Sequence, residues 1–83
     1  MTDTVAEKVI GIAADVFGVP KAQINVQSSP ETVEAWDSTR HLSFILALEE
    51  TFGLQLSPEE TEQIHNVGEA IQVVEEKVRA AGR

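Results

Sequence analysis

The sequence predicts an all-α fold, a small antiparallel four-helix bundle of three longer helices and one short one. Apolar residues recur at helical spacing in three separate stretches, and helix-start signals precede each helix. No strand-like alternation, internal repeat or low-complexity tract interrupts them. The 83 residues make one domain, 1–83, too short for two cores.

The first helix is expected from Thr4 to Phe17. Thr4 and Glu7 stand at capping-box spacing. Val5, Val9, Ile12, Ala13 and Val16 fall on one face, which Ile10 and Phe17 widen, while Glu7, Lys8 and Asp15 point away. Gly18 suits the C′ position, and Pro20 prevents continuation.

From Val19 to Trp36 the helical pattern fails at Pro20, Asn25, Ser28, Ser29 and Pro30. A loop of this length inside a small domain is more often functional than idle. Ile24, Val33 and Trp36 are expected to pin it to the core, with Val26 its other large apolar residue. Trp36 reads as an apolar lid in preference to a ligand contact, because tryptophan buries so much surface.

The second helix spans Ser38 to Phe52, with Asp37 as its N-cap. Phe44, Leu48, Phe52, Ile45 and Leu42 form its core face. Leu46 projects away, on the side of Thr39, Ser43 and Glu50. Gly53 ends the helix, with Leu54 available to pack against it. Ser57-Pro58-Glu59-Glu60 then opens a short helix ending near Ile64. Asn66-Val67-Gly68-Glu69 repeats the capping-box spacing for a last helix, whose stripe is Val67, Ala70, Ile71, Val74, Val78 and Ala81.

Charge and composition exclude several functions. A net charge of −8 opposes a nucleic-acid backbone or an anionic membrane, and complements basic protein patches. The same acidity also serves solubility alone. Without cysteine there is neither a disulfide framework nor a thiolate metal site, so any thiol chemistry must arrive on a prosthetic group. No leader-like segment or membrane-length apolar run is present. The expected state is a cytoplasmic monomer.

Asp37, Ser38 and His41 lie together in sequence, as a hydrolytic triad would require. A bundle of this size, however, offers little material for a cleft and an oxyanion hole. His41 and His65 lack partners at metal-ligand spacing, and Glu59, Glu60 and Glu62 read as a solvated helix start. His65 reads as a polar residue of the last interhelical turn. What remains is Ser38 on the first helical residue, with its hydroxyl in water. Unpaired backbone N–H groups and the helix dipole make that place favourable for a phosphate.

Asp37-Ser38-Thr39 opening a helix is followed by Leu42, Ile45, Ala47-Leu48-Glu49-Glu50, Phe52, Leu56, Pro58-Glu59-Glu60, Ile64, Val67, Ala70 and Ile71. This pattern resembles the acyl carrier protein family over most of the chain from Trp36 to Val74. The resemblance implies that Ser38 receives 4′-phosphopantetheine from coenzyme A through a phosphopantetheinyl transferase. It implies that Asp37 helps hold the transferase's magnesium, and that the chain itself performs no catalysis. It also implies a partner-reading surface on the second helix, comprising Thr39, Arg40, Ser43, Leu46, Glu49 and Glu50. There the two glutamates, both expected in solvent, would meet basic docking patches on acyl-loading and acyl-processing enzymes.

The chain departs from the fatty-acid-synthesis pattern in four places. Thr39 replaces a usual leucine, Arg40 and Ser43 stand where acidic residues are common, and Trp36 precedes Asp37 where a small residue is usual. A Trp-Asp-Ser turn with a histidine three residues on resembles stand-alone carriers of specialised pathways. Rim charges mainly tune encounter and specificity, so these changes bear on partner choice. An aminoacyl or peptidyl carrier is the alternative within the class. An unmodified helical interaction module is the alternative outside it.

Overall fold

Thr4 starts the first helix by reciprocal hydrogen bonding: its hydroxyl accepts from Glu7 N–H at 3.1 Å, and Glu7 Oε1 accepts from Thr4 N–H at 3.4 Å. The helix that follows is α1, Val5–Phe17. In the computed structural model, which describes residues 4–81, three further helices complete the chain: α2 (Ser38–Phe52), α3 (Pro58–Glu62) and α4 (Val67–Ala81). A single 3-10 turn, Lys21–Gln23, interrupts the long loop. The described residues contain no strand. The helix α1 packs on α2 and α4, and α2 packs on α4. The predicted all-α architecture is the observed one, and α3 stops at Glu62, slightly before the expected Ile64.

The core lies where the helical stripes meet. Phe44, Leu48, Val9, Val67 and Val74 are its largest fully buried side chains. On α1 the buried residues are Val9, Ala13, Ala14 and Phe17, whereas Val5, Ile12 and Val16 sit at the half-buried margin. The stripe is thus rotated slightly from the one expected, towards Ala14. On α4, Val67, Ala70, Ile71 and Val74 are buried and Val78 is half-buried. The expected contribution of Ala81 concerns a side chain outside those described.

Leu42 corrects the predicted core face of α2. It is 61% exposed, because at 3.6 residues per turn it projects about 100° from the centre of the face made by Phe44, Ile45, Leu48 and Phe52. Leu46, one turn further on, is 58% exposed. Gly18 and Gly53 both close their helices in the left-handed conformation, at φ 69° and 64°.

Both short-range and long-range bonds hold α3 in place. Ser57 and Glu60 form a full capping box. Lys77 Nζ on α4 reaches Glu60 Oε1 at 3.0 Å. The hydrogen bond from Ser57 N–H, and then the Lys77 ammonium, hold the Glu60 carboxyl below the usual carboxylate range.

The start of α4 is tied to the long loop across some forty residues of chain. Val67 N–H donates to Ser28 O at 2.9 Å, and Gly68 N–H donates to Val26 O at 2.8 Å. Asn66 Oδ1 accepts from Glu69 N–H at 2.7 Å, which completes the cap. The Glu69 carboxylate returns to His65 N–H at 2.7 Å, one residue earlier than in a regular capping box. Ser28, the one buried polar residue among those described, turns its hydroxyl to Asn25 N–H.

The close approach of the loop requires glycine at position 68. A Cβ there would lie 2.9 Å from Val26 O, a backbone atom. Gly68→Ala should therefore destabilise the fold by about 1–3 kcal/mol, as overpacking does, despite the better helix propensity of alanine. Urea denaturation measures this. An unchanged or raised midpoint would mean that the loop does not grip α4.

Candidate functional site

Two short turns place the serine. Thr32 N–H and Val33 N–H both donate to Ser29 O, and Trp36 N–H donates to Val33 O at 3.0 Å. The loop therefore delivers Trp36 to the bundle as a buried residue, at 3% exposure. Its ring stacks on Phe17 at 4.6 Å and meets Phe44 edge-on at 5.6 Å. Ile24 and Val33 are also buried, so all three expected anchors of the loop are in the core, while Val26 is 53% exposed.

Asp37 follows in extended conformation, and its Oδ1 accepts from Arg40 N–H at 2.9 Å. It is the N-cap, as expected. Ser38 becomes the first residue of α2 and is exposed. Among the described residues, the Ser38 and Thr39 N–H groups have no protein acceptor. The starts of α2 and α4 thus differ: protein acceptors fill the first three N–H groups of α4 and leave two open on α2.

The ring nitrogens of His41 bond to neither Ser38 nor Asp37. The indole N–H of Trp36 donates to His41 Nδ1 at 3.0 Å. Because an indole nitrogen only donates, Nδ1 is the acceptor and Nε2 carries the hydrogen. That hydrogen points to Thr61 O on α3, at 3.3 Å. The imidazole bridges the loop and α3, and no triad geometry exists. This bridge was not anticipated from sequence. The i, i+5 spacing of Trp36 and His41 carries no helical signal, since only one of the pair lies on the helix.

Beside Ser38 lies an open groove of about 910 Å³. The loop contributes Gln27, Ser29, Pro30 and Glu31 to it, α2 contributes Ser38, His41 and Leu42, and the segment before α4 contributes Ile64, His65 and Asn66. The chain has more concave surface than its size suggested. Among the described residues, no group of three or more histidine, aspartate or glutamate side chains gathers as a metal-binding cluster. No described helix is long and apolar enough to cross a membrane.

The remaining sequence-selected positions divide. Thr39, Ser43, Leu46 and Glu50 are exposed and share the outer face of α2, joined there by Leu42. Arg40 lies on the other edge, and its Nη1 donates to Val16 O in the last turn of α1 at 2.9 Å. The last turn of α1 has no basic residue of its own, so Arg40 supplies a cation where the dipole favours one. Glu49 is half-buried rather than solvated, because its Oε2 accepts from Leu56 N–H at 2.8 Å and fixes the turn before α3.

Reversing charge at the two glutamates separates these roles. Glu49→Lys should lower stability by about 1.5–3 kcal/mol, the value of a hydrogen bond to a charged acceptor. Glu50→Lys should stay within about 0.5 kcal/mol of the native chain. Equal thermal midpoints for the two variants would remove the structural role assigned to Glu49.

A helical bundle with an exposed serine at a helix start, beside a groove, is the arrangement that the resemblance to acyl carrier proteins leads one to expect. The comparisons agree. The chain is 38% identical over 74 residues to an acyl carrier protein from Solidesulfovibrio magneticus, covering 89% of this chain and 95% of that one. The solution structure of a holo acyl carrier protein from Geobacter metallireducens superposes with a TM-score of 0.83 at 23% identity, over 93% of this chain and 88% of that one. No family model matches the chain. The chain belongs to the acyl carrier protein family, whose members are carriers and not catalysts.

Proposed function

We propose that residues 1–83 form a carrier domain whose Ser38 is modified with 4′-phosphopantetheine. The observation that carries this reading is the pair of N–H groups at Ser38 and Thr39 that have no acceptor among the described residues, beside an exposed hydroxyl. A phosphate on Ser38 Oγ would sit within their reach, at the positive end of α2. In the attachment step, Ser38 Oγ bonds to the pantetheine-side phosphorus of coenzyme A. The pyrophosphate bond breaks, adenosine 3′,5′-bisphosphate leaves, and the hydroxyl proton passes to a base of the transferase. Asp37 keeps one carboxylate oxygen on Arg40 N–H, which leaves the other for the transferase's magnesium.

When attached, the arm supplies a terminal thiol that holds acyl groups as thioesters. The chain's own contribution is to tether that group, which raises its effective concentration near successive enzymes. Thr39, Ser43, Leu46 and Glu50, with Leu42, form the face that reads those partners: an apolar pair for contact and a carboxylate for basic residues. Arg40 and Glu49 act indirectly, by fixing α2 against α1 and against the turn before α3. The departures at Trp36, Thr39 and Ser43 favour a specialised acyl pathway over ordinary fatty-acid synthesis, and the cytoplasm is the compartment where such enzymes would be met.

Incubation with a broad-specificity phosphopantetheinyl transferase and coenzyme A tests the reading. Intact-mass analysis should show one phosphopantetheine added. No addition, under conditions that load a control carrier, would favour an unmodified interaction module.

A further inference from the structure

A bound acyl group on an arm at Ser38 would lie either in the open groove or in the apolar core behind it. Trp36, itself a core residue, and His41 both line the groove. Trp36, 3% exposed, is packed between Phe17 and Phe44, and its N–H holds His41 Nδ1. The far side of the imidazole holds Thr61 O on α3. Entry of an alkyl chain from the groove past these two residues would therefore have to break this bridge or displace a stacked indole from a close-packed core.

On the carrier reading, we infer that this chain keeps its cargo outside the bundle. The Trp36–His41–Thr61 bridge closes the interior, and the group on the arm lies in the groove against Leu42, Ile64 and Pro30. The groove is open to water, with polar Gln27, Asn66 and Glu31 among its walls. It suits a short or polar acyl group and gives poor cover to a long alkyl chain, which would lose much of its burial there. The bridge is thus a specificity device: it removes the shelter that would reward chain length.

Loading the native chain from acetyl- and octanoyl-coenzyme A with the same transferase tests this, read by amide chemical shifts and thermal midpoint. Both loaded forms should show shifts confined to the groove and α2 start, with Val9, Phe44, Leu48 and Val74 unmoved and equal midpoints. Shifts at those four residues together with a higher midpoint for the octanoyl form would overturn the inference. Failure of the carrier reading would look different, since neither donor would add mass. In Trp36→Phe, which keeps a ring but loses the N–H donor, the octanoyl form alone should shift the core residues. A core as quiet as that of the native chain would show that the bridge is not what closes it.

Discussion

Ser38→Ala should abolish phosphopantetheine addition while leaving the fold intact. The hydroxyl is exposed and accepts or donates no hydrogen bond among the described residues. The cap of α2 belongs to Asp37, so alanine at the first helical position removes nothing that holds the bundle. The expected change in stability is within about 0.5 kcal/mol, against complete loss of the mass increase. Intact-mass analysis and a denaturation curve on the same sample check both halves. Modification of the variant at another serine would overturn the assignment of the site, and a large stability loss would show that the hydroxyl is structural.

Trp36→Ala should have the opposite character, a severe loss of stability. The ring stacks on Phe17, meets Phe44 and supplies the donor to His41. Truncating a buried tryptophan costs about 3–5 kcal/mol, a large fraction of the roughly 5–15 kcal/mol that holds a natural domain. The loss includes the anchor that presents Asp37 and Ser38. Urea unfolding followed by far-ultraviolet circular dichroism measures it. A cost under about 1 kcal/mol would mean that the loop is held by Ile24 and Val33 alone.

The helices and their caps were legible because each rests on local chemistry. Thr4 with Glu7, Ser57 with Glu60 and Asp37 before Ser38 are decided within one turn of chain, and all three act as predicted. The three loop anchors were legible because a large apolar residue in a polar loop has few other uses. Contacts that join distant residues were not. Nothing near Arg40 in sequence signals Val16, and nothing near Gly68 signals Val26. Glu49 looked solvated because the periodicity of α2 cannot show a chain that turns back to bond it. Leu42 failed for a different reason, since it stands beyond the edge of the core face, where regular helical geometry already turns it to solvent. The candidate serine was therefore readable from its neighbours, whereas the bridge that shapes its surroundings required three elements to be assembled first.

The grip of the loop on α4 has an electrostatic consequence for the whole surface. By setting two main-chain oxygens over one helical pole, the fold extinguishes an attraction for anions that this pole would otherwise exert. Backbone rather than side chains performs this masking, so point changes on the exterior can redirect who docks without creating a competing seat for phosphate.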